Sequence, residues 1–112
     1  MIFFVTEDQR KSSGSTCYLE FQKGNYNDKC WLPDSISIYC ELWDEHHLSD
    51  LFTHAVKDFD YFGTTEISRN QWEEIVKLSK EPNQIWKEII AEADLWVKEC
   101  FKNYDVFTII GM

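Results

Sequence analysis

Apolar residues in the second half of the chain recur at helical spacing. Ile85, Trp86, Ile89, Ile90, Ala93, Trp96, Val97, Cys100, Phe101 and Tyr104 fall at i, i+3, i+4 and i+7 intervals. The pattern predicts one helix from Pro82 to Tyr104 with a single apolar stripe. Proline suits a first helical turn, where its missing N–H would have no partner anyway. About 20 residues at about 1.5 Å each make a rod roughly 30 Å long, so a broad apolar surface must lie against it.

The pattern of the first half supplies that surface. Ile2–Val5 is apolar on both faces and predicts a strand away from an exposed edge. Thr6–Thr16 is polar and reads as a loop. Its Gly14 has neither the Gly-Lys-Ser/Thr ending nor the following helix of a phosphate loop. Cys17–Lys23 alternates, with Cys17, Leu19 and Phe21 on one face and Tyr18, Glu20 and Gln22 on the other. Cys30-Trp31-Leu32 is an apolar patch placed under the sheet before Pro33-Asp34 breaks it. Ser35–Trp43 gives the clearest strand. Ile36, Ile38, Cys40 and Leu42 face helices, while Ser37, Tyr39, Glu41 and Trp43 face solvent or a partner.

Leu48, Leu51, Phe52, Ala55, Val56 and Phe59 predict a helix from His47 to Phe59, with Ser49 or Asp44 as its cap. Tyr61–Ile67 reads as a short strand or connector. Ser68 and Gln71 form a capping box, and Ile67 and Trp72 are placed as the hydrophobic staple across it. That helix runs through Ile75, Val76 and Leu78. Asp105–Ile110 is a closing strand. Together these elements predict one α+β domain over residues 1–112: a mostly antiparallel sheet with about three helices packed on one face.

Charge narrows the partners. Twenty acids against eleven bases give −9, which repels nucleic acid and anionic membranes. The apolar start Met1–Val5 is too short for a signal-peptide core and lacks a basic flank. No run approaches the roughly 20 apolar residues of a membrane span. The expectation is a cytoplasmic protein whose chain starts at Met1. Cys17, Cys30, Cys40 and Cys100 form no CxxC pair, and in a reducing compartment they are expected as free, mostly buried thiols.

Candidate chemistry is sparse. Asp44-Glu45-His46-His47, with His54 two turns beyond His47, is the one local cluster with metal or acid/base potential. No His or Cys pair there has the i, i+3 or i, i+4 spacing of helical metal ligands. A solvated helix start with acids near its dipole accounts for the same residues. Cys40 beside the histidines suggests a nucleophile pair, but a thiol on the apolar face of a strand is inert. A small metal- or Cys/His-dependent enzyme using Cys40, His46, His47 and His54 is therefore the alternative reading. The leading expectation has no catalytic residue, no metal and no cofactor.

The informative stretch is acidic. Residues 41–60 hold Glu41, Asp44, Glu45, Asp50, Asp58 and Asp60 against Lys57 alone, a net −5 out of the chain's −9. With Trp43 expected to point outward, this combination suits an interface in which an aromatic anchors and charges steer a basic partner. The expected contact set is Glu41, Trp43, Asp44, Glu45, Asp50, Asp58 and Asp60.

The whole chain resembles the immunity proteins of bacterial polymorphic toxin and contact-dependent growth inhibition systems. The resemblance lies in its size, acidity, tryptophan content and lack of a catalytic motif. It lies also in Glu66-Ile67-Ser68-Arg69-Asn70-Gln71-Trp72 opening a helix, the long helix after it, and Phe107-Thr108-Ile109-Ile110-Gly111. The resemblance implies a cytoplasmic inhibitor that binds a cognate toxin domain. Many such toxins are nucleases with basic active sites, which an acidic surface would engage.

Overall fold

Leu19, Glu20, Phe21 and Gln22 are consecutive and all buried. Side chains alternate along a strand, so this strand is covered on both faces. The computed structural model describes residues 1–81 and 83–112. Pro82, expected in the first turn of the long helix, lies outside the described residues.

Five strands, β1 (Phe4–Thr6), β2 (Tyr18–Lys23), β3 (Ile36–Tyr39), β4 (Thr64–Ser68) and β5 (Val106–Ile110), form one sheet. Their order is β1-β3-β2-β5-β4, and every pairing is antiparallel. The helices are α1 (Glu7–Ser13), α2 (Cys40–Glu45), α3 (Leu48–Ala55), α4 (Arg69–Ser79) and α5 (Gln84–Cys100). The α+β class holds, with five helices among the described residues rather than about three.

One face of the sheet carries Phe4, Leu19, Phe21, Ile36, Ile38, Ile67, Phe107 and Ile109, all buried. Helices cover it through aromatic contacts: Phe21 to Phe52 of α3 at 6.4 Å, Phe107 to Trp72 of α4 at 5.5 Å, and Phe107 to Trp96 of α5 at 5.8 Å. Each of these inner tryptophans also places its indole N–H. Trp72 donates to Asp94 and Trp96 to the Asp34 carbonyl, both at 2.8 Å.

The opposite face was expected to meet solvent or a partner. Tyr39 at its end does stay 37% exposed, but its centre is covered by the chain's own 24–35 segment. The buried Glu20 carboxylate accepts from the backbone N–H of Trp31 (2.7 Å) and Leu32 (2.9 Å) and from the Ser35 hydroxyl (2.6 Å). The Gln22 amide donates to the Lys29 carbonyl, and the Thr108 hydroxyl to that of Gly24. Three donors on one carboxylate compensate its burial. The face is structural.

Several boundaries differ from the sequence pattern. Thr6–Thr16 is not a loop. Thr6 and Gln9 form a capping box that starts α1, and Gly14 closes it at φ 73°. β1 is an edge strand, pairing only with β3. Its approach is fixed by Glu92, whose carboxylate accepts from the N–H groups of Ile2, Phe3 and Phe4. Glu92 is therefore a fastening residue on α5. The alternation from Ile36 to Trp43 crosses a real boundary: strand pairing stops at Tyr39 and α2 begins at Cys40. In a helix Cys40 and Trp43 share one face, and that face is buried.

The cysteines also differ from expectation. Cys17 and Cys40 are joined in a disulfide that ties the start of β2 to the start of α2. Cys30 is an exposed free thiol and Cys100 a buried one. Burial pushes the Cys100 thiol pKa up, which keeps it protonated and unreactive.

Candidate functional site

The acidic stretch folds into α2, α3 and the connection that leads to β4. Glu41, Asp44 and Glu45 are all exposed. Their i, i+3, i+4 spacing sets them along the outer side of α2, while Cys40 and Trp43 fill its inner side. Asp58 and Asp60 are exposed in the connection after α3. Asp50 is exposed in the first turn of α3 and opens toward a different groove, which it lines with Leu51, His54, Leu78, Glu81 and Trp86.

Trp43 does not belong to this surface. It is 1% exposed, with its ring 4.9 Å from that of Phe52 and 5.8 Å from that of Phe59. Its indole N–H donates to Ser49 Oγ at 2.8 Å. The expected outward anchor is a core residue because α2 starts before it.

An aromatic pair that the sequence pattern did not single out takes the place intended for it. Phe62 is 78% exposed, and its ring meets Tyr61 edge-on at 5.0 Å. The Tyr61 hydroxyl donates to Asp44 Oδ2 at 3.3 Å. This bond brings the aromatic pair to the acidic side of α2. Burial raises the Tyr61 pKa, and the Asp44 charge and hydrogen bond raise it further.

The turn that displays Phe62 is held from both sides. Asp60 Oδ1 accepts from the Phe62 N–H at 3.0 Å, the Gly63 N–H donates to the Asp60 carbonyl, and Thr65 Oγ1 accepts from the Asp60 N–H. From the far strand, the N–H groups of Gly111 and Met112 donate to the carbonyls of Gly63 and Tyr61, both at 2.7 Å. A Cβ on Gly111 would lie 2.0 Å from the Tyr61 carbonyl oxygen, so only glycine permits this approach. The sequence signal available was Asp60 before Gly63, an Asx-turn pattern around an aromatic dipeptide.

The histidines are dispersed. His46 ends α2, and its carbonyl accepts from the Trp86 indole at 2.6 Å. His47 is the N-cap of α3 with φ 55° and makes no side-chain cap, so neither Ser49 nor Asp44 serves as one. His54 is exposed near Asp50, Thr53 and Lys57. Among the described residues, no three His, Cys, Asp or Glu side chains converge on a common point. Cys40 is held in the disulfide, which leaves it no thiolate in this form. No helix among the described residues is long and apolar enough to cross a membrane.

No protein-family model, curated protein or solved structure matches the chain.

Proposed function

We propose that the protein is a stoichiometric inhibitor of the immunity type, binding a basic cognate toxin domain through the acidic side of α2 and the Tyr61–Phe62 turn. The observation that carries the reading is Phe62. A large apolar ring left 78% exposed on a turn pinned by five hydrogen bonds, three of them backbone to backbone, costs the fold solvation and gives it little packing beyond Tyr61. Exposed aromatics rimmed by charge are the anchor pattern of protein interfaces. Glu41, Asp44, Glu45 and Asp60 supply the steering charge, with Asp50 and Asp58 at its margins. A nuclease active site built to hold phosphates presents the complementary sign. The contact set differs from the sequence expectation in losing Trp43 and gaining Tyr61 and Phe62.

The disulfide adds a condition. Disulfides persist in oxidising compartments, and a cytoplasm keeps such a pair as dithiols. A cytoplasmic inhibitor would have to hold α2 in place without the bridge, through Trp43, the Tyr61–Asp44 bond, the Trp86–His46 bond and the Cys40 N–H to Cys17 carbonyl bond.

The test is binding to the product of the neighbouring gene, where the proposal places a basic toxin domain. A one-to-one complex is expected, with an association rate that falls as salt rises. Reversing Glu41, Asp44 and Glu45 to lysine together should slow association at least about tenfold. Unchanged kinetics would sink the assignment of this face.

A further inference from the structure

We infer that the groove between α4 and α5 is a second docking site, of opposite sign to the acidic face, and that it takes an amphipathic helix with acidic flanks. The inference is independent of the toxin-binding reading.

The two helices run antiparallel. The Arg69 guanidinium at the start of α4 donates to the carbonyls of Phe101 and Tyr104 beyond the end of α5, while Lys80 and Lys87 line the other end together. Between these ends lie two adjacent hollows of about 350 Å³ and about 300 Å³ that share Val76, Asp94 and Lys98. Trp72, Val76, Ile90 and Phe101 make the apolar floor.

Charge identifies the occupant. Arg69, Lys80, Lys87 and Lys98 line the groove against Glu73 and Asp94. That is a net +2 on a chain whose total is −9, so the rest of the molecule carries −11. Asp94 is already occupied: it accepts from the Trp72 indole N–H and pairs with Lys98 at 2.9 Å. Lys80 and Lys87 make no ion pair among the described residues. A cationic rim over an apolar floor asks for an apolar stripe flanked by carboxylates. The hollow between two antiparallel helices suits a third helix. α4 has 11 residues, about 16 Å at about 1.5 Å per residue, so about three turns can lie along it. An anionic membrane has the same charge sign but is flat, and a hollow recessed between two helices admits a rod more readily than a plane.

The experiment uses the whole chain, isotopically labelled, and a synthetic peptide of about four helical turns with a leucine stripe and glutamate flanks. The Trp72 indole N–H signal reports on the groove floor, and that of Trp86 serves as a control outside it. The glutamate peptide should shift Trp72 and leave Trp86 in place. The same stripe flanked by lysine should not bind. The double variant Lys80→Glu, Lys87→Glu changes two exposed side chains, and its spectrum away from the groove should match the parent. It should weaken the glutamate peptide at least tenfold. The proposal is overturned if Trp72 does not move, if the lysine peptide or a scrambled glutamate peptide binds as well, or if the double variant binds unchanged. Binding to phosphatidylserine vesicles without binding to the peptide would overturn it in favour of a membrane surface.

Discussion

The Tyr61 hydroxyl donates to the Asp44 carboxylate, and this one bond ties the turn after α3 to the outer side of α2. Its consequences can be read by titration. Burial first, then Asp44, raise the Tyr61 pKa above its usual value of 10.0. A raised folded pKa means that the native state holds its proton longer than the unfolded chain does. The contribution to stability is therefore complete below the ordinary tyrosine pKa and is lost as pH rises through the folded value. Tyrosine-selective NMR should show Tyr61 ionising above the ordinary tyrosine value of 10.0. Asp44→Asn should lower the Tyr61 value part of the way, since burial remains. An unaltered Tyr61 titration in that variant would show that the bond is not formed in solution.

Trp43 and Phe62 should separate folding from binding. Trp43→Ala empties a core site beside Phe52 and Phe59 and should cost about 3–5 kcal/mol of stability. Phe62→Ala removes a ring that packs on little besides Tyr61 and should change stability by less than about 0.5 kcal/mol. The same change should weaken partner binding by about 2 kcal/mol or more, as a central aromatic anchor does. Chemical denaturation of both variants checks the first pair of outcomes, and calorimetric titration the last.

The Cys17–Cys40 bridge closes a loop with a sequence separation of 23, for which chain entropy gives about 3 kcal/mol. Thiol titration of the native protein should find Cys30 reacting quickly and Cys100 only after unfolding. Adding reductant, or making Cys17→Ser with Cys40→Ser, should lower the melting temperature while α2 stays docked through Trp43. Four rapidly reactive thiols would contradict the bridge.

Glu20 should be the most sensitive polar residue in the sheet. Glu20→Ala leaves the Trp31 and Leu32 amides and the Ser35 hydroxyl without their acceptor. An orphaned buried donor costs about 1–3 kcal/mol, which applies in full to Ser35 and less to the half-buried Trp31 and Leu32 amides. Hydrogen exchange should quicken in residues 31–35 before the rest of the sheet. Uniform exchange across the molecule would show that the 24–35 segment is held by other means.

Elements with both a local signal and a matching tertiary role were legible in the sequence. The Ser68–Gln71 capping box forms as read, and α5 has the predicted stripe buried at Ile89, Ile90, Ala93 and Val97. The failures have physical causes. α1 has the same kind of capping box, but Glu7–Ser13 contains no apolar residue to give a period, so only its caps announce it. The alternation through Trp43 satisfied strand and helix templates together, because positions 40 and 43 are also three apart on a helix. The sheet's polar residues read as solvent-facing because nothing local shows that the 24–35 segment returns to bond Glu20 and Gln22. The acidity of residues 41–60 was plain from composition, and its exposure on α2 follows from the helix. The Phe62 display was not legible, since it depends on Gly111 and Met112 gripping the turn from a distant strand.

The central claim is tested most directly by expressing the product of the neighbouring gene, searching it for a basic toxin domain and mapping the complex that such a domain forms with this protein. Amide exchange or NMR footprinting should show protection on the outer side of α2 and across Asp60, Tyr61 and Phe62, with the α4–α5 groove and the 24–35 segment unchanged. Protection confined to those latter regions, or no complex with that domain at all, would contradict the account.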